Sequence, residues 1–393
     1  MSFILALLEY KVTLIFYFLV FLFVYLNRKK FDIHGKFIFL YRTKIGIKFM
    51  GIVAKRATKI VKAIGHIAAA TGFLGMIFTF IFILFSAYGM LIDSSKTNGA
   101  SPVIPGLPIA GTGLVFPLLT GWIVLFIIIA VHEFSHGIVA SAHNIKVKNS
   151  GMAFFGPILG AFVEPDEKKL SKEKSWIQYS VFAAGPFSNF LSFVIAVLIV
   201  SFLLNPALSS LSVSKGAIIY SQPGLPADKA GILNDTVVTA INGKSVSTIK
   251  DFQEIMKDIG PNKKIEIKSN DKSYIVTTTE NPDEHSKGYL GVWVTGEKSE
   301  LKHSTFFNEI LFSMLKWSKQ LLGWLAFLSL NIGLINLLPV FVTDGARMLK
   351  VFFEKIIQDK QRSISAWLFV NWMALGSLLI LIFLPLFRLI NLF

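Results

Sequence analysis

Two histidines one helical turn apart, with a carboxylate after the first, stand in the run Ala130-Val131-His132-Glu133-Phe134-Ser135-His136-Gly137. At positions i and i+4 of a helix, the imidazoles of His132 and His136 share one face and can reach a single ion. Glu133 is placed to act on a water held by that ion. Zinc lowers the pKa of such a water to roughly 7, and a carboxylate can then take its proton. The surrounding residues are Val, Ile, Leu and Phe. A charged side chain near the centre of a bilayer costs about 2.5–3.5 kcal/mol on insertion scales, so ionisable residues in such a run are rare and functional by default. The bland alternative is a chance match in a chain with seven histidines.

An ion held by two imidazoles needs a third protein ligand and keeps one position for water. The candidate is Asp344, which closes the apolar run Asn336-Leu337-Leu338-Pro339-Val340-Phe341-Val342-Thr343-Asp344-Gly345. Its other reading is a carboxylate at a helix N-cap or turn. Pro339 should break the helix and let the chain turn back. A further apolar stretch carries Ala184-Gly185-Pro186-Phe187-Ser188-Asn189. Asn189 there needs a polar partner: either a substrate carbonyl or the oxyanion left by water attack, or a neighbouring helix. Asn336 has the same two readings. The segment from Gly151 to Asp166 is too short to cross a membrane as a helix. Its two apolar runs around Gly156-Pro157 predict a hairpin dipping into the membrane beside the site. That hairpin either packs only, or offers a free edge to an extended segment by strand addition. His34, His66, His285 and His303 have no ligand partner at useful spacing, and His143 falls at the water interface. There is no cysteine, so disulfides, thiol catalysis and Cys-ligated zinc are excluded, and any metal site must use His, Asp and Glu.

The elements that must position these residues are membrane spans. Of the 393 residues 53% are hydrophobic and 37 are Phe. Six stretches suffice for the roughly 20 residues that a span takes: Phe3–Leu26, Ile67–Ile92, Phe116–Ala142, Trp176–Leu204, Leu321–Leu338 and Ile364–Leu389. The first lacks a basic leading segment and a small-residue cleavage site, and reads as a retained span. The net charge of +15 would suggest nucleic acid, but only 16% of residues are charged, and the excess is local. Arg28 to Lys62 holds 11 Lys/Arg and one acid; Ser141 to Ser175 holds six Lys and four acids; Gly345 to Ser363 holds five Lys/Arg and two acids. The positive-inside rule puts all three segments in the cytoplasm and both termini outside. His132, His136 and Asp344 then approach one side of the membrane. The charge is topology, with attraction to anionic headgroups, and no nucleic-acid partner is implied.

One polar insert, Asn205–His303, has 12 Lys and 12 acids. Short apolar runs at Gly216–Tyr220, Val237–Ile241, Lys264–Ile267, Tyr274–Thr278 and Leu290–Val294 alternate with turn signals such as Pro223-Gly224, Asn242-Gly243, Gly260-Pro261 and Asn270-Asp271, and a helix is expected at Ile249–Asp258. This is a small β-rich domain of about 100 residues, outside by the same topology.

Together the His-Glu-x-x-His helix, the Gly-Pro-x-x-Asn of Gly185–Asn189 and the Asn-x-x-Pro…Asp-Gly of Asn336–Gly345, in that order, resemble the site-two protease family of intramembrane zinc metalloproteases. The resemblance covers Phe116 to Gly345. It implies cleavage of a peptide bond within or near a substrate's transmembrane segment, Zn2+ on His132, His136 and Asp344, Glu133 as general base, and Asn189 and Asn336 near substrate. The insert resembles a circularly permuted PDZ domain, in which Gly288, Tyr289, Leu290 and Gly291 look like the peptide-binding loop. Two departures stand out: the family often has Pro-x-Pro where Pro339-Val340-Phe341 occurs, and a second Gly where Ala346 occurs.

The expected protein is a polytopic α-helical membrane protein of about six transmembrane helices, with a membrane-associated β-hairpin and one inserted β-rich PDZ-like domain. Residues 1–115 would hold two helices and the basic loop, 116–204 and 304–363 the two halves of the catalytic core, 205–303 the extracytoplasmic domain and 364–393 the last helix. Its partners would be membrane-protein substrates and the lipid bilayer of the cell membrane. Two other readings remain: a membrane zinc protease of prenyl-protein or quality-control type cutting outside the bilayer, or a non-catalytic PDZ adaptor. Metal binding and its dependence on Asp344 separate them.

Overall fold

The structure is a computed structural model that describes residues 10–34, 38–93, 99–109, 115–155, 158–269, 272–282 and 284–390. The chain divides into two compact units, one of residues 1–107, 116–198 and 321–393, the other of residues 108–115 and 199–320.

Five of the described helices are long and apolar enough to cross a bilayer: Thr58–Ile92, Leu118–Ala142, Ser175–Leu211, Phe306–Leu337 and Lys360–Pro385. The protein is therefore a multi-pass membrane protein. The first expected span, Phe3–Leu26, is helical over Lys11–Leu26 (α1). Its 16 residues rise about 24 Å, short of a hydrocarbon core of about 30 Å, and residues 3–9 lie outside the described ones. The basic segment expected as a loop is largely ordered: it forms β1 (Asp32–His34), β2 (Ile38–Thr43) and the amphipathic α2 (Ile47–Arg56), which buries Met50 and Ala54. Hydropathy could not show this, because amphipathic elements average to a polar value.

Helix α3 (Thr58–Ile92) begins before the expected Ile67, because backbone bonding continues through its polar first turns. Its inner face is lined by Gly65, Ala68, Ala69 and Gly72, small residues that let membrane helices approach closely. Helix α4 (Leu118–Ala142) carries the two histidines. It is followed by the expected hairpin as β3 (Val147–Phe155) and β4 (Ile158–Pro165); the Gly156-Pro157 turn lies outside the described residues. Strands β1 and β2 extend this hairpin to an antiparallel sheet of order β1-β2-β3-β4, with Arg42 and Phe162 both opposite Gly151. Strand β4 is thus an edge strand, and it packs on α4. Helix α5 (Ser175–Ile199) contains Pro186.

In the second unit, β5 (Ser212–Ser221), β6 (Thr236–Ile241), β8 (Lys264–Ser269), β9 (Ser273–Thr277) and β12 (Val292–Leu301) form a sheet of order β12-β5-β6-β8-β9, with β7 (Lys244–Ser245) paired to β6. Strands β10 (Thr279–Glu280) and β11 (Gly288–Tyr289) make a separate ladder. Ile219, Val238, Ile241, Ile265, Ile267 and Phe252 fill the core. The expected helix is α6 (Ile249–Lys257), started by a reciprocal capping box of Thr248 and Asp251. The five expected apolar runs fall in strands, except that Thr278 lies just past the end of β9 and that Leu290, which is buried, and Gly291 sit between β11 and β12. The Asn270-Asp271 turn lies outside the described residues.

Three helices follow, α7 (Phe306–Leu337), α8 (Asp344–Ile356) and α9 (Lys360–Ile390), of which the residues from 321 onward belong to the first unit. Pro339 follows the end of α7, as expected, and α9 packs against α8 and α3.

Candidate metal centre

On α4, Val124, Ile128, His132 and His136 recur every four residues, and all are buried. The stripe that the helix turns inward on grounds of apolarity therefore also carries the two imidazoles. Asp344 comes from the first turn of α8. The chain reverses tightly to bring it there: a Cβ on Gly345 would lie 1.9 Å from the Leu337 carbonyl oxygen. The Asp344 Oδ2 lies 3.2 Å from His132 Nε2 and 3.3 Å from His136 Nε2. One donor atom from each of the three residues lies within 4.8 Å of the others.

The second ring nitrogens show whether these donors suit a cation. His136 Nδ1 lies 2.7 Å from the Val181 carbonyl oxygen. A carbonyl only accepts, so Nδ1 carries the proton and Nε2 keeps a lone pair. His132 Nδ1 lies 3.1 Å from Asn189 Nδ2, while the buried Asn189 Oδ1 has no partner. A half-turn of the amide, which exchanges two nearly indistinguishable atoms, presents Oδ1 to an Nδ1–H and gives the orphaned oxygen its bond. His132 Nε2 then also offers a lone pair toward Asp344. Two imidazole lone pairs and one carboxylate fit a tetrahedral ion with one open position.

Helix α5 approaches this centre through Gly185, where a Cβ would lie 2.4 Å from His136 Nε2 and 2.5 Å from His132 Nε2. Glu133 Oε2 accepts a hydrogen bond of 2.9 Å from the backbone N–H of Val163 on β4. A cavity of about 450 Å³ reaches His132, Glu133, His136, Val163, Asn336 and Asp344. Its wall also carries Glu167, Arg347, Lys350 and Glu354, so it is polar enough to hold water.

The structure thus brings together His132, Glu133, His136 and Asp344. Asn189 contacts the back of the His132 ring, so of its two readings the helix-to-helix contact is the one present. The Asn336 amide donates to the Ile332 carbonyl of its own helix, and the residue lines the cavity. Asp344 is not the cap of α8: Thr343 is, its hydroxyl accepting from Ala346 N. His143 lies near His66, with ring centroids 6.4 Å apart, and is not among the three grouped donors. In the second unit, Gly288 and Tyr289 form β11, and Gly291 takes a left-handed φ of +69° before β12. Sequence reasoning missed the Val163 N–H, which has no side-chain signature, and the close approach of Gly185, whose signal was a glycine within a span.

The model of a protein family described as peptidase family M50 matches residues 120–381. An uncharacterized protein of Methanocaldococcus jannaschii is 30% identical over 383 residues, which is 95% of each chain. Zinc metalloprotease RasP of Oceanobacillus iheyensis is 27% identical over 218 residues, covering 44% of this chain and 50% of that protein. Zinc metalloprotease RasP of Shouchella clausii is 26% identical over 214 residues, with the same coverage. The chain spans about half the length of these two metalloproteases.

Proposed function

The chain belongs to peptidase family M50, the site-two protease family, and from that premise we propose that it is a zinc metalloprotease that cleaves membrane proteins within or near their transmembrane segments. His132, His136 and Asp344 hold the zinc, and Glu133 is the general base. The observation that carries this reading is the meeting of two buried histidines and a partly buried aspartate, from two helices with His132 and Asp344 212 residues apart in sequence, beside Glu133 in one cavity.

When bound, zinc supplies Lewis-acid polarisation of the scissile carbonyl and an acidified water. Glu133 takes a proton from the attacking water at a carboxylate oxygen and delivers it to the departing amine. Asn189 holds the His132 ring in the tautomer that leaves Nε2 free. A substrate helix must unwind before its carbonyls are open to attack. Strand β4 is suited to hold the unwound segment: it is an edge of the sheet, and its Val163 N–H already points at Glu133. A strand added there would run past the base.

The second unit acts as the PDZ-like reader or size filter. Its support is the edge position of β12, with α6 packed beside it and the left-handed Gly291 leading into it. The basic segments keep the metal centre toward the cytoplasm, and the second unit and both termini lie outside.

The test uses the purified full chain in detergent or nanodiscs with a tagged single-span membrane protein. Glu133→Gln should abolish cleavage while about one zinc per chain remains. Asp344→Ala should lose zinc and cleavage together. Cleavage by the pure Glu133→Gln protein at the unaltered rate overturns the assignment of the base, and zinc retained by Asp344→Ala overturns the ligand set.

A further inference from the structure

The metal centre has a support outside the three motifs. Asn371 lies within α9, in an otherwise apolar stretch, and is fully buried. A buried amide persists there only if its donors and acceptor are used. Its Nδ2 donates to the Trp367 carbonyl of its own helix at 2.7 Å, and its Oδ1 accepts from the backbone N–H of Phe341. Phe341 is three residues before Asp344 and adopts φ +29°, in the left-handed region that non-glycine residues avoid. Its ring meets Trp372 and Trp367 edge-on, at centroid distances of 5.0 and 5.8 Å. On the other side of Asp344, Trp367 Nε1 donates 2.8 Å to the Ala346 carbonyl oxygen. One turn of α9 therefore grips the chain at Phe341 and at Ala346, and Asp344 lies between the two grips.

The loop's own bonds do not fix it to α4, the helix that carries both histidines. Thr343 Oγ1 donates to the Leu338 carbonyl, Val340 N to the same carbonyl, and Thr343 N to the Val340 carbonyl. These shape the turn from within. The bonds from Asn371 and Trp367 tie that turn to α9. Phe341 stands where a proline would hold φ negative by its ring, so the unusual backbone must be held from outside.

We infer that Asn371, with Trp367, is a positioning residue of the metal centre: it holds the Phe341–Ala346 turn so that Asp344 reaches the ion already bounded by His132 and His136. The inference rests on the reading of Asp344 as a ligand. It assigns a share of metal affinity to a helix that contributes no ligand.

The experiment measures zinc affinity by chelator competition on the purified full chain, together with the visible absorption bands of the cobalt-substituted protein, which report ligand geometry independently of activity. Asn371→Leu keeps the volume and removes the acceptor; Trp367→Phe keeps the ring position and removes the donor. Asn371→Leu should weaken zinc binding by tenfold or more and change the cobalt bands, and Trp367→Phe should do so to a smaller degree. If Asn371→Leu does not fold, Trp367→Phe decides alone. Unaltered affinity and cobalt bands in the folded variants overturn the inference while Asp344→Ala still abolishes binding. Zinc retained by Asp344→Ala overturns the ligand reading beneath it.

Discussion

Asn189 meets His132 at Nδ1, 3.1 Å away, the ring nitrogen opposite the one that faces Asp344. In the proposed metal centre this contact would set the tautomer of His132 and hold its ring in place, as partners behind metal-bound histidines do.

Replacement of Asn189 by Leu should therefore lower zinc affinity by about 10–100-fold. Asn189→Asp, which keeps an acceptor for Nδ1–H, should remain close to the unaltered protein. Chelator competition measures both. An oxyanion role would instead leave zinc affinity intact in Asn189→Leu and lower kcat alone.

Gly185→Ala tests the approach of α5 to the donors. Within a helix this exchange ordinarily adds about 0.8–1 kcal/mol of stability. Here the new Cβ would fall 2.4–2.5 Å from both Nε2 atoms, so bound zinc should drop well below one per chain while the helix itself remains. Zinc content by atomic absorption, with circular dichroism as the control, reads the outcome.

Val163→Pro removes the N–H that Glu133 Oε2 accepts. On an edge strand, with the N–H directed off the sheet, proline is tolerated. A hydrogen bond to a charged group contributes about 1.5–3 kcal/mol, so kcat should fall by about tenfold or more while zinc affinity is unaltered. An unaltered kcat would show that Glu133 needs no help from β4.

The second unit offers a test apart from the metal. The Thr248 side chain accepts from Asp251 N, and the Asp251 carboxylate accepts from Thr248 N and Ser247 N. Thr248→Ala should destabilise α6 by about 1 kcal/mol, seen as faster amide exchange of residues 249–257 in the full chain. The backbone N–H groups of Thr248 and Ser247 hold the Asp251 carboxyl below its ordinary value. A carboxyl lowered in the folded state stabilises above its unfolded pKa of about 3.9 and loses that contribution as pH falls through the lower folded value. Amide protection of α6 should therefore be level near neutrality and decline only in acid, and Asp251→Asn should lessen that decline.

Local periodicity alone determined much of this protein. The apolar runs marked the spans because a span must be apolar over its length, and His132 and His136 could be paired because i and i+4 share a face in any α-helix. Alternating runs and turn residues marked the strands of the second unit, since side chains alternate along any strand. The N-terminal strands β1 and β2 escaped notice because their short polar-flanked runs have meaning only once β3 offers them a partner.

Tertiary structure decided the rest. Nothing in the spacing of residues 132 and 344 brings them within 3.2 Å; the packing of α4, α5 and α8 does. The partner of Asn189, the N–H that Glu133 accepts and the grip of Asn371 on Phe341 are contacts between distant segments. Such contacts are chosen by which helix faces bury each other and which buried polar atoms must be satisfied, and neither is a property of one segment's sequence.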